Sequence, residues 1–352
     1  MNSRYLNILR EVEREREQGI GSSKDSHLLV IDGLNTFIRV FSAVPALNDD
    51  GAHIGGVTGF LRSIAANIRQ LKPTRCVIIF DGKGGSKRRK KIYPEYKANR
   101  ANKTAFNRYQ EFASLEDEQD SMRRQFGRLV EYLNCLPITT LAIDNVEADD
   151  IMAYIANEIY TDDKNRVTIC STDRDFLQLV NNRISVWSPI KKKLYTPELM
   201  KEEFGFNSSN YLLYRAFIGD KSDNIPGLKG VGPKSLLKYF PMITEDREVS
   251  IKELVDHADS IEKPYKVHKL VSENKKLLEL NYRLMQLKEV DINGGAKMLT
   301  LNKVTGDIDR MNVLEFKKMF MVDKMYTVIK DLDSWLTNSF NSLNAYASMH
   351  KN

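Results

Sequence analysis

The sequence predicts an α/β fold built on a mostly parallel sheet with helices on both faces. Short apolar runs alternate along the chain with amphipathic segments, which is the pattern of a parallel sheet. Two of these runs end in an Asp-Gly pair, at Asp32-Gly33 and at Asp81-Gly82. Acidic residues at strand ends fit such a fold, because open α/β sheets bind ligands outside the carboxyl ends of their strands.

The elements follow in order from the spacing of apolar residues. The predicted strands are 27–31, 76–80, about 138–143, 167–170 and 186–187, with the last pair taken as the final strand. The predicted helices are about 56–71, about 118–134, one from about Ala148, one from Phe176, 211–218 and one continuing from Ser235.

The composition limits the class of protein. With 352 residues and 42% hydrophobic residues, the chain is long enough to bury a substantial core. It has no run of 18 uncharged apolar residues and no apolar leader, so we expect no membrane span and a cytoplasmic location, in the host cytoplasm if the protein is viral. Cys76, Cys135 and Cys170 lie far apart, and we expect all three to be reduced and buried.

Positive charge is concentrated in one segment. Residues 83–108 contain ten basic residues and one acidic residue, Glu95, which gives this window a charge of +9. The whole chain carries +6, so the remainder carries 6 − 9 = −3. Such a segment is typical of a solvated loop or of a surface that binds a polyanion, and the aromatic residues Tyr93, Tyr96 and Phe106 within it and Tyr109 next to it favour nucleic acid.

Carboxylates recur where the predicted strands end. Asp32, Asp81, Asp173 and Asp175 each follow a strand, so the sheet brings them to one edge. Three more stand at a predicted helix start, where acidic residues also suit the helix dipole. The stretch 219–224 adds two more carboxylates, those of Asp220 and Asp223. The full candidate set is Asp32, Asp81, Glu147, Asp149, Asp150, Asp173, Asp175, Asp220 and Asp223.

So many carboxylates in one cleft would repel one another unless cations neutralised them. Oxygen ligands without histidine or cysteine favour Mg²⁺, with Mn²⁺ as a substitute, over zinc. Two such ions about 4 Å apart can promote hydrolysis of a phosphodiester. Glycoside hydrolysis needs only two acids, and it would explain neither the basic segment nor the hairpin described next.

A glycine-rich turn separates two predicted helices. It contains Lys229, Gly230, Gly232, Pro233 and Lys234. The glycines permit a tight turn whose backbone approaches a ligand, and Pro233 suits a first helical turn. Free N–H groups at the helix start could hold a phosphate near the two lysines. A plain helix–helix turn is the alternative, but the order Gly-x-x-Gly-x-Gly-Pro-Lys resembles a helix–hairpin–helix that grips duplex backbone.

Taken jointly, these motifs resemble the flap endonuclease (5′-3′ exonuclease) family over about residues 27–245. Its phage members, including the phage enzyme called ribonuclease H, are the most similar. The resemblance rests on a series of motifs in the family's order, completed by the hairpin: Ile31-Asp32-Gly33, Phe80-Asp81-Gly82, Pro94-Glu95-Tyr96-Lys97-Ala98-Asn99-Arg100, Val146-Glu147-Ala148-Asp149-Asp150, Ser171-Thr172-Asp173-Arg174-Asp175 and Gly219-Asp220-Lys221-Ser222-Asp223-Asn224.

The resemblance implies a role for each matched position. It assigns Asp32, Asp81, Glu147 and Asp149 to a first metal ion; Asp173, Asp175 and Asp223 to a second; and Asp150 and Asp220 to either site, directly or through water. It implies catalytic roles for Lys97, Arg100, Asp149 and Asp173, and a stacking or orienting role for Tyr96 at the terminal nucleotide. The nucleic-acid contacts it implies are Lys87, Arg88, Tyr96, Lys97, Arg100, Lys229, Gly230, Gly232 and Lys234.

The resemblance also implies an organisation and partners. We expect a PIN-like nuclease core at 27–200 with a helical arch at about 84–110, a helix–hairpin–helix subdomain at 201–290 and a C-terminal helical region at 291–352. Residues 1–26 form an extension of open role, in which Leu6, Leu9 and Val12 have helical spacing. We expect a C-terminal amphipathic helix to pack onto the body.

The expected activity is structure-dependent 5′ cleavage of DNA with a single-stranded 5′ end or flap, and of RNA–DNA hybrids, with 5′-phosphate and 3′-hydroxyl products. Further expectations are K⁺ at the hairpin, contact with single-strand-binding protein or a sliding clamp, and a monomeric state. Two alternatives stay open. One is a non-catalytic protein that binds junctions or primers, and the other is a PIN-type endoribonuclease, which would not need the hairpin.

Overall fold

The computed structural model describes residues 26–101 and 106–350 of the chain, with side chains described up to residue 347. The helical spacing noted within residues 1–26, and the middle of the predicted arch at 102–105, lie outside these ranges. No helix within the described ranges combines the length and the apolar character needed to cross a membrane.

A six-stranded sheet forms the centre of the molecule. Its strands are β1 (His27–Asp32), β2 (Arg75–Asp81), β3 (Thr139–Ile143), β4 (Arg166–Cys170), β5 (Ile184–Ser188) and β6 (Lys193–Tyr195). Their spatial order is β3-β2-β1-β4-β5-β6; β1 to β5 pair in parallel, and β6 runs antiparallel to β5. The chain turns one way from β1 to β3 and the other way from β4 to β6, so the topological switch point lies between β1 and β4.

Helices account for most of the remaining chain. They are α1 (Gly33–Ala43), α2 (Gly55–Leu71), α3 (Lys87–Ile92), α4 (Leu115–Asn134), α5 (Ala148–Tyr154), α6 (Pro197–Phe204), α7 (Tyr211–Ile218), α8 (Pro233–Tyr239), α9 (Ile251–Ser260), α10 (Lys266–Glu273), α11 (Lys275–Met285), α12 (Gly294–Thr305), α13 (Val313–Val322) and α14 (Leu332–His350). A π-helical turn, Ile155–Ile159, extends α5, and 3₁₀ turns occupy Ala98–Ala101, Asp175–Leu179, Ser208–Asn210 and Pro241–Thr244.

The two faces of the sheet bury separate apolar clusters, because alternate strand residues point to opposite sides. Leu28 and Val30 of β1 join the cluster that continues through α5 into the helices from α7 to α12. Leu29 and Ile31 join the cluster formed with α1, α2, α4 and α14. A mostly parallel sheet covered on both faces is the fold that the sequence predicts.

The C-terminal region is part of the second cluster. Leu336, Phe340 and Leu343 of α14 are buried against it, and α13 contributes Phe316. This arrangement confirms that the amphipathic C-terminal helix packs onto the body. Cys76, Cys135 and Cys170 are buried and unbridged, as expected.

Candidate active site

Four of the predicted carboxylates lie along the carboxyl edge of the sheet. Asp32 is the last residue of β1 and caps α1, accepting hydrogen bonds from the Asn35 amide (3.0 Å) and from Ser171 Oγ (3.1 Å). Asp81 ends β2, two strands away from β4 in the spatial order. Asp173 and Asp175 follow β4. Because β1 and β4 are neighbours, this edge is also the switch point of the sheet.

The start of α5 adds two carboxylates to the same edge. Glu147 occupies the N-cap position, and Asp149 lies in the first turn. The helix start is held by Asp81, whose Oδ1 accepts the Ala148 amide at 2.9 Å. This hydrogen bond connects the carboxyl end of β2 to α5, so the local fold fixes Glu147 and Asp149 beside the strand ends.

Three of these carboxylates lie close enough for their charges to interact. Asp32, Asp149 and Asp173 form no ion pair with any described residue. Burial raises the pKa of all three, and for Asp32, which reaches about 7, the charges of Asp173 and Asp81 raise it further. For Asp149 the neighbouring charges of Asp173 and Asp32 act in the same direction. The charges of Lys97 and Arg215 lower the pKa of Asp149 and Asp173, respectively, but they do not outweigh burial and the neighbouring negative charges.

Glu147, in contrast, is neutralised by basic side chains. It is buried and pairs with the Arg89 guanidinium and with Lys97 Nζ at 2.5 Å. Burial alone would raise the pKa of Glu147, but the charges of Arg89 and Lys97 outweigh it and lower the pKa. The expected first-site ligand is thus held by two cations in this structure.

Asp150 faces away from the trio. It accepts hydrogen bonds from Arg89 Nη1 (3.0 Å) and Nη2 (2.7 Å), and it pairs with Arg88 Nη2 at 3.1 Å. The structure therefore places Asp150 as the counter-ion of two α3 arginines rather than with the predicted metal ligands. The sequence spacing between Glu147 and Asp150 on one helix did not predict these ion pairs, because the two arginines come from a different helix, α3.

Asp175, Asp220 and Asp223 also face cations. Arg215 of α7 bridges the first two, with Nε 2.6 Å from Asp175 Oδ1 and Nη2 2.6 Å from Asp220 Oδ2. Burial still raises the pKa of Asp175 to about 7. Asp223 Oδ1 accepts from Arg100 Nη2 at 2.5 Å, and its Oδ2 lies 3.8 Å from Lys97 Nζ.

The ring of Tyr96 is buried. It is 3% exposed and packs with Leu212, Ile225, Leu284 and Met285. Its hydroxyl lies 3.3 Å from Glu147 Oε1 and donates to Asp223 Oδ2 at 3.1 Å. In this arrangement the buried ring positions two carboxylates, and the expectation that Tyr96 stacks on or orients the terminal nucleotide stays a prediction.

No three histidine, cysteine or acidic side chains within residues 26–101 and 106–350 stand in an arrangement that would enclose a metal ion. Basic side chains hold Glu147, Asp175, Asp220 and Asp223 instead. The residues nonetheless fit a divalent cation, because the unpaired trio presents only oxygen donors and lacks compensating charge. Oxygen donors of this kind suit Mg²⁺ and Mn²⁺.

A cleft of about 460 Å³ opens beside these carboxylates. Its lining includes the acidic side chains of Asp81 and Glu147 and the basic side chains of Lys90, Lys97 and Arg100. Such a mixed lining can accept a phosphodiester, because the cations favour the phosphate while the carboxylates favour a bridging cation. Lys87 and Arg88 of the same basic segment instead contact Asn145 (2.9 Å) and Asp150.

The predicted hairpin lies between α7 and α8. Lys229 and Lys234 are exposed, and neither forms an ion pair with a described residue. Gly230 has φ +84°, a conformation that favours glycine, and Gly232 directly precedes α8. The structure therefore has a glycine turn between two helices with both lysines exposed, and contact with a duplex backbone stays a prediction.

Arg89 and Arg215 were missed by the sequence reasoning. Arg89 is 3% exposed, and its Nε also donates to the Leu284 carbonyl at 2.8 Å. Arg215 sits on an apolar helix with no distinguishing neighbour in sequence. Nothing in the local pattern separates Arg89 from the solvated lysines around it, so only the tertiary contacts reveal either arginine.

The fold and this edge define a nuclease of the α/β type, with carboxylates at the switch point and basic side chains beside them. The model of the 5′-3′ exonuclease N-terminal, resolvase-like domain matches residues 27–205, just over half of the chain. The chain therefore belongs to the 5′-3′ exonuclease family, which confirms the resemblance noted in the sequence.

Relatives of known sequence agree with this family. A 5′-3′ exonuclease of Aquifex aeolicus is 28% identical over 87% of this chain and 95% of its own length. DNA polymerase I of Mycobacterium tuberculosis is 33% identical over 66% of this chain. The thermostable DNA polymerase I of Thermus thermophilus is 29% identical over 77%. The match covers 24% and 30%, respectively, of these two polymerases.

Solved structures share the fold. The T5 5′-exonuclease with bound zinc aligns with a TM-score of 0.62 at 21% identity, covering 84% of this chain and 99% of that one. The bacteriophage T5 D15 flap endonuclease, in complex with DNA and metal ions, aligns with a TM-score of 0.58 at 20% identity, covering 87% and 100%.

Proposed function

We propose that this protein is a structure-dependent 5′ nuclease that hydrolyses phosphodiesters with the help of Mg²⁺. The observation that carries the proposal is the unpaired trio Asp32, Asp149 and Asp173, which lies at the switch point near a cleft lined by Lys97 and Arg100. Family membership and the DNA-bound relatives of the same fold support it. The substrates we propose are DNA with a 5′ single-stranded end or flap, and RNA–DNA hybrids.

The trio would hold Mg²⁺, with Asp81 beside it at the same edge. Mg²⁺, when bound, supplies charge stabilisation at the phosphate and favours ionisation of a nucleophilic water. Two ions would need Asp175, Asp223 and Glu147 to exchange their present cationic partners for metal. Hydrolysis would leave a 5′-phosphate and a 3′-hydroxyl.

The basic side chains would bind and orient the substrate. Lys97 and Arg100 line the cleft and would face the scissile phosphate, where negative charge increases in the transition state. Tyr96 and Arg89 would keep Glu147 in place from behind. Lys229 and Lys234 would contact the phosphates of a duplex arm.

A product map would test the proposal. Labelled nick, gap, 5′-flap and RNA–DNA substrates are incubated with Mg²⁺, and the products are sized and their ends identified. We expect release of 5′ fragments that end in a 3′-hydroxyl, with a 5′-phosphate left on the remaining strand, and we expect Asp173→Asn to abolish cleavage while leaving substrate affinity largely intact. Binding without cleavage by the unaltered protein would favour a junction-binding protein, and cleavage of RNA alone would favour a PIN-type endoribonuclease.

A further inference from the structure

Hydrogen bonds join the base of the arch to the acidic loop, and three of them are short bonds to main-chain carbonyls, while Tyr96 and Arg100 add bonds to the Asp223 carboxylate. We call residues 95–100 the arch base and residues 219–225 the acidic loop. Asn99 Nδ2 donates to the Lys221 carbonyl at 2.9 Å. Asn224 Nδ2 donates in the other direction, to the Glu95 carbonyl at 2.8 Å. Between them the Lys97 amide donates to the Asp223 carbonyl at 2.9 Å. The two segments are thus held in register by contacts from both sides.

The acidic loop is in turn fixed to the hairpin that follows it. Asp220 and Ile225 close the loop with paired backbone hydrogen bonds of 2.9 and 2.7 Å. A Cβ atom on Gly227 would lie 2.1 Å from the Ile218 carbonyl oxygen, so the chain leaves the loop in close contact with the end of α7. The Leu228 amide then donates to the Phe217 carbonyl at 2.8 Å. Such close packing leaves little room for the hairpin to move independently of the loop.

The arch base carries the two cations that line the cleft. Lys97 has φ +57°, an uncommon conformation for a lysine, and its own amide is one of the three connecting hydrogen bonds. Arg100 contacts Asp223 of the acidic loop directly. A displacement of the acidic loop would therefore move both cations relative to Glu147 and Asp81.

We infer that Asn99 and Asn224 are positioning residues that couple duplex binding at the hairpin to the placement of Lys97 and Arg100 over the scissile phosphate. The inference rests on the proposed nuclease function and adds to it a reason why cleavage would depend on a duplex arm. The path runs from Lys229 and Lys234 along the chain to the packed residues Gly227 and Leu228, and from the acidic loop by hydrogen bonds to the arch base.

A purely stabilising role would explain these hydrogen bonds less well. Asn99 is exposed and Asn224 is half-buried, and a hydrogen bond in such a place contributes little to the stability of the fold. The effect on the placement of Lys97 and Arg100 is larger, because small displacements of reacting groups can lower a rate about a hundredfold. The two asparagines therefore matter most for geometry at the cleft.

The test combines these residues with the hairpin in a double-mutant cycle. Single-turnover cleavage of a 5′-flap substrate is measured at saturating enzyme, so that binding does not limit the rate. The variants are Asn99→Ala, Asn224→Gly and the pair Lys229→Ala with Lys234→Ala, alone and combined. Glycine is used at 224 because Asn224 has φ +59°, which alanine would adopt only with strain. Asn182→Ala, in an exposed loop before β5, is the matched control.

We expect Asn99→Ala and Asn224→Gly each to lower the rate about tenfold, within the usual range of coupling between sites. We expect almost no further loss of rate when either asparagine substitution is added to the hairpin variant. Without the two lysines, duplex binding at the hairpin no longer acts through the hydrogen bonds that the asparagine substitution removes. Independent, multiplicative losses would overturn the inference, and so would unchanged rates in the asparagine variants. A wild-type protein that cleaves nothing would instead contradict the proposed function itself, and the inference would fall with it.

Discussion

At the scale of single residues, the surroundings of each carboxylate decide its role more than the total count of carboxylates does. Asp149 and Asp150 are adjacent in sequence, yet Asp149 belongs to the unpaired trio and Asp150 pairs with two arginines. The sequence could predict the acidic edge, since residues that end parallel strands must lie together. It could not predict which acids are already neutralised, because Arg89 and Arg215 reach them from distant parts of the chain.

The pair between Lys97 and Glu147 leads to the first prediction. Lys97→Ala removes a cation from the cleft while leaving Arg89 to neutralise Glu147. We expect the single-turnover rate to fall by about a hundredfold or more, because charge stabilisation at a transition state is worth several kcal/mol. Substrate affinity should change little.

The control is Lys164→Ala, an exposed lysine in the loop before β4, at the opposite edge of the sheet. It should leave rate and affinity unchanged. An effect of Lys97→Ala on affinity alone would refute a role in the chemical step.

The raised pKa values of the acidic edge predict a pH dependence of stability without metal. A carboxyl whose folded pKa lies near 7, as for Asp32 and Asp175, binds its proton more tightly when folded than when unfolded. Folding is therefore favoured at lower pH, and stability falls as pH rises through 7. Burial lowers the pKa of His27 and His53, which opposes this trend only below about pH 6.5.

The measurement is the melting temperature in a chelator at pH 6.5 and at pH 8, where the two histidines contribute little. We expect a decrease of a few degrees at the higher pH. Asp32→Asn should reduce the difference, because it removes one of the titrating groups. A melting temperature that rises between these pH values in the wild-type protein would contradict the raised pKa values.

At the scale of elements, the long periodic segments were predictable and the short ones were not. α2 and α7 lie within a residue of their predicted ranges, and β1 to β4 match their apolar runs. The predicted helix from Phe176 is instead a 3₁₀ turn over Asp175–Leu179, too short to have a helical period. Strand β6 was missed, since Lys193 and Leu194 are exposed and only Tyr195 is buried.

The C-terminal helix α14 carries the next prediction. Phe340 is fully buried in the cluster shared with α1, α2 and α4. Phe340→Ala should lower the free energy of unfolding by about 3–5 kcal/mol, the usual cost of deleting a buried phenylalanine ring. Urea titration would measure it, and the exposed neighbour Asn341→Ala should cost less than about 0.5 kcal/mol.

This substitution should not alter the cleavage rate of the protein that remains folded, because α14 contributes no residue to the cleft. A loss of less than about 1 kcal/mol for Phe340→Ala would show that the C-terminal helix is only loosely attached.

At the scale of the whole molecule, acidic and basic residues are concentrated in different parts of the fold. The sheet edge is acidic, the segment 83–108 carries +9, and the rest of the chain sums to −3. The hairpin lysines lie outside that window, so nucleic acid would meet positive charge at two separate places. The sequence predicted both places, but the acidic loop that joins them emerges only from the tertiary contacts of Asn99 and Asn224.

The two basic places should differ in what they contribute to binding. Each lysine that neutralises a phosphate releases counter-ions, so the logarithm of affinity for duplex falls by about 0.9 per contact for each tenfold rise in salt. Affinity for a 5′-flap substrate should therefore fall steeply with salt. Replacing both Lys229 and Lys234 by alanine should make the plot of log affinity against log salt less steep by the amount expected for two phosphate contacts, about 1.8. Lys164→Ala should not change this slope. A weaker affinity with an unchanged slope would mean that the hairpin lysines do not contact phosphate, and the duplex arm would then have to bind elsewhere.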